Sequence, residues 1–201
     1  MAVREMEGLP DQKALDSLKK SNGQITVISE AAEDHVITYI VKVALVASDA
    51  VYWTHHADKP ADLVQACRNA TINTGAFRDE NIAEDQVLSI LDIDIHPTKT
   101  NDGRRYLERL TEFVRLDEDP YNHAKNEEAF YENTARYYER SSGARKYEAK
   151  NLIEFDLETD SFKITNTLSQ ARIDKIRKNL MDYDKEDFEI FLKKMESLVG
   201  K

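Results

Sequence analysis

"SILDIDIHPTKTNDGRRYLERLTEFVRL", residues 89–116, admits two readings, and the fold depends on which one the chain takes. As helix, the element opening near Ile82 runs on to Ile95 and stops because His96 precedes Pro97, whose ring disfavours helical backbone at the residue before it. As strand, Asp92, Asp94 and His96 alternate with Leu91, Ile93 and Ile95, and the two-residue period sets two carboxylates and an imidazole on one face. Even in the helical reading Asp92 and His96, at i and i+4, share a face. Past the proline, Tyr106, Leu107, Leu110, Phe113 and Val114 recur at helical spacing with Arg104 and Glu108 paired outside, which predicts a helix over 101–116.

The flanking sequence extends that helical pattern. A short amphipathic helix is expected over 11–23, ending at Asn22 and Gly23. Over 30–53, Val36, Ile40, Val43, Ala47 and Val51 predict a central helix, with a narrow polar stripe of His35, Thr38, Lys42 and Asp49 turned to water. Pro60 suits a first helical turn and Gly75 its end, with Leu63, Val64, Cys67 and Ala70 inside. Asn81 and Glu84 have capping-box spacing ahead of Val87, Leu88 and Leu91. Asp119 and Pro120 open a further helix that buries Phe130 and Tyr137.

At 151–167 the period changes from 3.6 to 2. Ile153, Phe155 and Leu157 alternate with acids, "ETDS" makes a turn, and Phe162 and Ile164 resume, which predicts a β-hairpin over about 152–165. Two helices follow, the last carrying Phe188, Phe191, Leu192, Met195, Leu198 and Val199 on one stripe before Gly200. The fold expected is mainly α, a helical bundle-like protein with one C-terminal hairpin. An acidic helical part, 1–97, is followed by a second part, 98–201, unless the two form one continuous domain.

Composition narrows the function classes. With 201 residues, 41% hydrophobic, the chain can bury a core of its own. The formal net charge of -10 repels nucleic acid and anionic membranes and attracts basic partners. The only cysteine, Cys67, excludes an intramolecular disulfide framework and fits a reducing, cytoplasmic setting, as does an N-terminus without an apolar signal run. The most apolar stretch, 36–47, is too short to span a bilayer.

Candidate sites are few. Hard divalent cations favour carboxylate oxygens and an imidazole adds affinity for zinc, iron or manganese, which makes Asp92, Asp94 and His96 candidate metal ligands. "LDIDIHP" resembles the strand by which zinc-dependent deacetylases of the histone-deacetylase type hold their metal, and its Asp-x-Asp resembles the metal pair of archaeal and eukaryotic type primases. The likeness is confined to this stretch: Pro97, Thr98 and Lys99 stand where a deacetylase continues with a second histidine and a glycine-rich turn, and neither activity is carried over. His55, His56 and Asp58 could join such a site if the fold brought them near. Glu148 and Lys150 are similar to the E-x-K element of restriction-type nucleases. Tyrosines 131, 137, 138 and 147 interleave with Arg136, Arg140, Arg145, Lys146 and Lys150, a combination that stacks bases and neutralises phosphates.

No phosphate loop, dinucleotide glycine motif, nucleophile elbow or metalloprotease pair occurs. Recognition is therefore the expectation: a small protein-binding or assembly protein, such as an inhibitor, immunity-type protein or accessory subunit, that offers Asp79, Glu80, Glu84 and Asp85 to a basic protein partner. No cofactor is expected unless the Asp92, Asp94 and His96 face takes a divalent metal, in which case the chain is a metal-dependent hydrolase or nuclease with His96 as ligand or general base. A third reading is a winged-helix-like nucleic-acid module in the C-terminal half.

Overall fold

The structure, a computed structural model, describes residues 24–46, 48–116, 126–141 and 146–200. The helix expected over 11–23 lies outside the described residues, as does the helix start expected at Asp119 and Pro120. The chain divides into two compact units, 1–91 and 92–201.

In the first unit, β1 (Gln24–Ile28) leads into α1 (Asp34–Val46), and β2 (Ser48–Trp53) pairs parallel to β1. The helix expected over 30–53 therefore ends at Val46, and its last turns are strand instead. Val51 fits both periods, but Tyr52 and Trp53 are residues that pack well on a pleated surface, and β1 supplies the partner that a local reading could not see. Ile37, Tyr39, Ile40, Val41 and Val43 are buried on α1. Thr38, expected to face water, is buried too, with its hydroxyl donating to the Ala70 carbonyl at 3.1 Å.

Two more helices follow among the described residues of this unit. α2 (Pro60–Asn73) carries its proline in the first turn and buries Leu63, Val64, Cys67 and Ala70 as the spacing predicts. Beyond it Gly75 sits at a φ of 71°, left-handed backbone that glycine adopts without steric cost. α3 (Glu80–Leu88) is capped by Asp79, whose carboxylate accepts from the Ile82 amide at 3.0 Å; the cap expected at Asn81 stands two residues too late.

The second unit overturns the mainly α, bundle-like expectation. Its centre is a four-stranded antiparallel sheet in the order β3-β4-β5-β6: β3 (Ile93–Lys99), β4 (Arg105–Arg115), β5 (Tyr147–Asp156) and β6 (Ser161–Ile164). Residues 93–115, read as a helix end followed by a second helix, are a β-hairpin, so the protein is an α+β fold. The reason is position. β4 lies between two strands and buries Thr111, Glu112 and Phe113 in succession, so it has apolar residues on both faces and no clean alternation; at short range such a strand is indistinguishable from a buried helix. The turn signal is Gly103 at a φ of 92°, with the Thr100 amide donating to the Arg104 carbonyl at 2.9 Å. Pro97 is tolerated because β3 is an edge strand and the register shifts beside it, between His96 and Pro97.

The hairpin expected over 152–165 is the β5–β6 pair, although it forms the margin of the sheet and not an isolated ribbon. Between β4 and β5 the chain makes α4 (Glu127–Ser141), on which Phe130, expected inside, is exposed. After β6 come α5 (Gln170–Asn179) and α6 (Lys185–Leu198). Among the described residues of this unit, Phe113, Tyr147, Leu152, Ile173, Leu192 and Met195 are the buried apolar ones. The Phe113 and Tyr147 rings lie 5.9 Å apart.

Candidate functional site

As strand, the 92–96 stretch does what its period of two dictates. Asp94 and His96 turn to the half-buried side of β3, while Ile93 and Ile95 point outwards, Ile95 being 60% exposed. The polarity is the reverse of an ordinary half-buried strand, and the charged partners beneath explain it. Opposite Asp94 and His96 on β4 stand Thr111 and Arg109.

Each acid of the triplet meets a cation of the same unit. Arg109 reaches Asp94 at 3.6 Å and Glu108 at 2.8 Å, and His96 Nε2 lies 3.6 Å from Glu108. His96 and Pro97 have Arg109 and Leu107 as their partners on β4, so Glu108 between them is the extra residue of a bulge, and the bulge re-aims its side chain towards the imidazole. Asp92 pairs with Arg172, and its other oxygen takes Lys175 at 3.1 Å. Both cations come from α5, one helical turn apart.

Beside Asp92, Glu112 is 1% exposed and all of its neighbours are donors. Its oxygens accept from the Ser169 amide at 2.8 Å, the Ser169 hydroxyl at 2.6 Å and Arg172 Nε at 3.3 Å. Ser169 is also the N-cap of α5, accepting from the Arg172 amide at 3.2 Å. A buried carboxylate at a helix N-terminus, with a guanidinium alongside, is the arrangement that charge burial requires. The sequence marked neither Glu112 nor Ser169; the i, i+3 spacing of Arg172 and Lys175 was the one legible signal.

This cluster is an ionic clasp between sheet and helix. A cation entering at Asp92 or Asp94 would compete with Arg172, Lys175 and Arg109, and among the described residues no three of His, Cys, Asp and Glu are arranged to hold a metal. Of the other flagged histidines, His55 Nδ1 is 2.7 Å from the Ala31 carbonyl and His56 lies 3.6 Å from Glu30. Glu148 and Lys150 do lie on a strand, but the residue opposite Lys150 is Glu112, whose oxygens are already engaged. The side chains of Arg136, Tyr137, Tyr138, Arg140 and Arg145 lie outside the described residues; Tyr131 is exposed and Tyr147 is buried.

The four acids expected to meet a partner lie on and before α3. Asp79 serves as its cap, Glu84 pairs with Arg68 at 3.2 Å, Asp85 is half-buried, and Glu80 is exposed in the first turn. Around them the balance is uneven: residues 24–91 contain ten carboxylates and four Lys or Arg, a surplus of six acids. At the carboxyl ends of β1 and β2, where the Ala31 amide bonds the Thr54 carbonyl at 2.8 Å, Glu30 and Glu33 are exposed, with His56 and His35 beside them.

No protein-family model matches the chain, and no curated protein matches it. Function is therefore argued from the residues. Among the described residues no helix is long and apolar enough to cross a membrane.

Proposed function

We propose that the chain is a protein-recognition module, an inhibitor, immunity-type protein or accessory subunit, whose first unit engages a basic protein partner inside the cell. The observation that supports this reading is the contrast in charge between the two units. Residues 1–91 carry 14 acids against 8 cations, whereas 92–201 carry 24 against 20 and spend many of them on internal pairs such as Asp92–Arg172, Asp94–Arg109, Asp156–Lys163 and Glu189–Arg177. A concentrated negative field steers a cationic macromolecule and sets its orientation before contact. The intracellular part of the proposal rests on Cys67, a lone buried thiol.

The test is co-purification from the native cell in about 0.1 M salt, where the Debye length is roughly 10 Å, and again at about 1 M, where it is roughly 3 Å. Wild type should capture a protein of high isoelectric point at the lower salt only, and Glu30→Lys with Glu33→Lys should lose it. Capture that ignores both the salt and the charge reversal would sink the reading.

A further inference from the structure

We propose that the outer face of β1 and β2 is the docking site for that partner, and that it receives an extended segment of alternating apolar and cationic residues; this rests on the proposed function and locates its contact. In the register of the pair Val27 lies opposite Tyr52, and Ile25, two residues before Val27, shares their face. The three are 49%, 73% and 59% exposed for Ile25, Val27 and Tyr52, while Thr26 on the opposite face is buried. Parallel strands are normally covered on both faces, and two strands make a sheet too small to stand without such cover. β1, "QITVI", carries no charge or proline of the kind that guards an exposed strand.

Charge selects the occupant. Glu30 and Glu33 rim the carboxyl end of the two strands, giving an apolar centre with an acidic border. A second copy of the chain would bring its own surplus of six acids over 24–91 against the same surplus, with -10 on each whole molecule, so like charges oppose self-association through this face. A segment with apolar side chains towards Val27 and Tyr52, and lysines or arginines over Glu30 and Glu33, satisfies both parts of the surface.

The probes are two short synthetic peptides, alternating Lys-Leu and alternating Glu-Leu, titrated into the full-length chain at low salt with isothermal titration calorimetry as readout. The Lys-Leu peptide should bind saturably and the Glu-Leu peptide should not. Val27→Lys should weaken the Lys-Leu peptide at least tenfold, and Val27→Thr, which keeps a β-branched side chain at an exposed position, several-fold. Ile95→Lys, on the other unit, should leave binding unchanged, with thermal unfolding confirming that every variant is folded. Any of four results overturns the site: no saturable binding of the Lys-Leu peptide, equal binding of both peptides, equal binding by Val27→Thr, Val27→Lys and wild type, or a sedimenting dimer that Val27→Lys dissolves. If a basic protein is captured from the native cell and Val27→Lys still captures it, this site fails while the proposed function stands.

Discussion

Glu112 is the residue on which the second unit is most exposed to a single change. Its carboxylate is withdrawn from water, and Ser169 and Arg172 are the groups that make its charge tolerable. Removing one member of a buried pair strands the other, at a cost of about 3 kcal/mol or more. Arg172→Ala should therefore lower unfolding stability in urea by about 3 kcal/mol, followed by far-UV circular dichroism. A loss below about 1 kcal/mol, the level of a surface ion pair, would show that the clasp is not what holds α5 to the sheet. Asp156 gives a residue-scale test with the opposite exposure. The Lys163 ammonium, helped by the Glu158 and Thr159 amides, holds its carboxyl down at about 2, against an ordinary 3.8. Because the folded value is depressed, the contribution of this pair is present above the ordinary value and fades as pH falls from 3.8 through about 2. Carbon-detected NMR titration should find that midpoint, and Lys163→Met should return it towards 3.8; an unmoved midpoint would assign the depression to the turn amides alone. Cys67 is displaced the other way: burial raises its thiol to about 12, so its contribution is complete below 9.0 and is lost between there and about 12 as the unfolded thiol ionises first.

At the scale of elements, the strand–turn–strand over 93–115 makes a prediction that a helix there would not. In the sheet Ile95 points to solvent and Phe113 is buried, so Ile95→Thr should cost no more than about 0.5 kcal/mol while Phe113→Ala costs about 3 to 5. Comparable losses at the two positions would argue that 89–116 packs as helix after all. The helices whose apolar residues lie on one side, such as α2 with Leu63, Val64, Cys67 and Ala70, were legible because amphipathic periodicity survives in a single sequence. So was β5–β6, where Glu154 against Lys163 and Phe155 against Phe162 keep a two-residue period. β4 was not, because it lies between β3 and β5, with β5 distant in sequence, and a strand buried on both faces loses its alternation. β1 went unread although Ile25, Thr26, Val27 and Ile28 form an unbroken β-branched run, a signal that composition alone could have supplied. Of the candidate site, the shared face of Asp94 and His96 followed from spacing, but Arg109 and Arg172, which decide what those acids do, come from a neighbouring strand and a later helix. Arg109 lies within the same stretch but is placed by the pairing of β3 with β4, and Arg172 lies eighty residues from Asp92.

For the molecule as a whole, what matters is how many of its cations remain available to a partner. The second unit contains many arginines and lysines, and on sequence alone they allow a nucleic-acid surface. The structure commits Arg104 to Asp160, Arg109 to Glu108 and Asp94, Lys163 to Asp156, Arg172 to Asp92 and Glu112, Lys175 to Asp92, Arg177 to Glu189 and Lys185 to Asp182. Non-specific affinity for DNA depends on cations free to displace counterions from phosphate, and an arginine already facing a carboxylate contributes little to that exchange. With -10 overall, the far field is repulsive as well. The full-length chain should therefore pass through immobilised double-stranded DNA without retention at about 50 mM salt, conditions that favour any electrostatic association. Retention at that salt, released along a steep salt gradient, would mean that the tyrosines and basic residues of the 131–150 stretch form a phosphate-binding surface strong enough to outweigh the acids. Recognition of nucleic acid, and not of a basic protein, would then be the function to pursue.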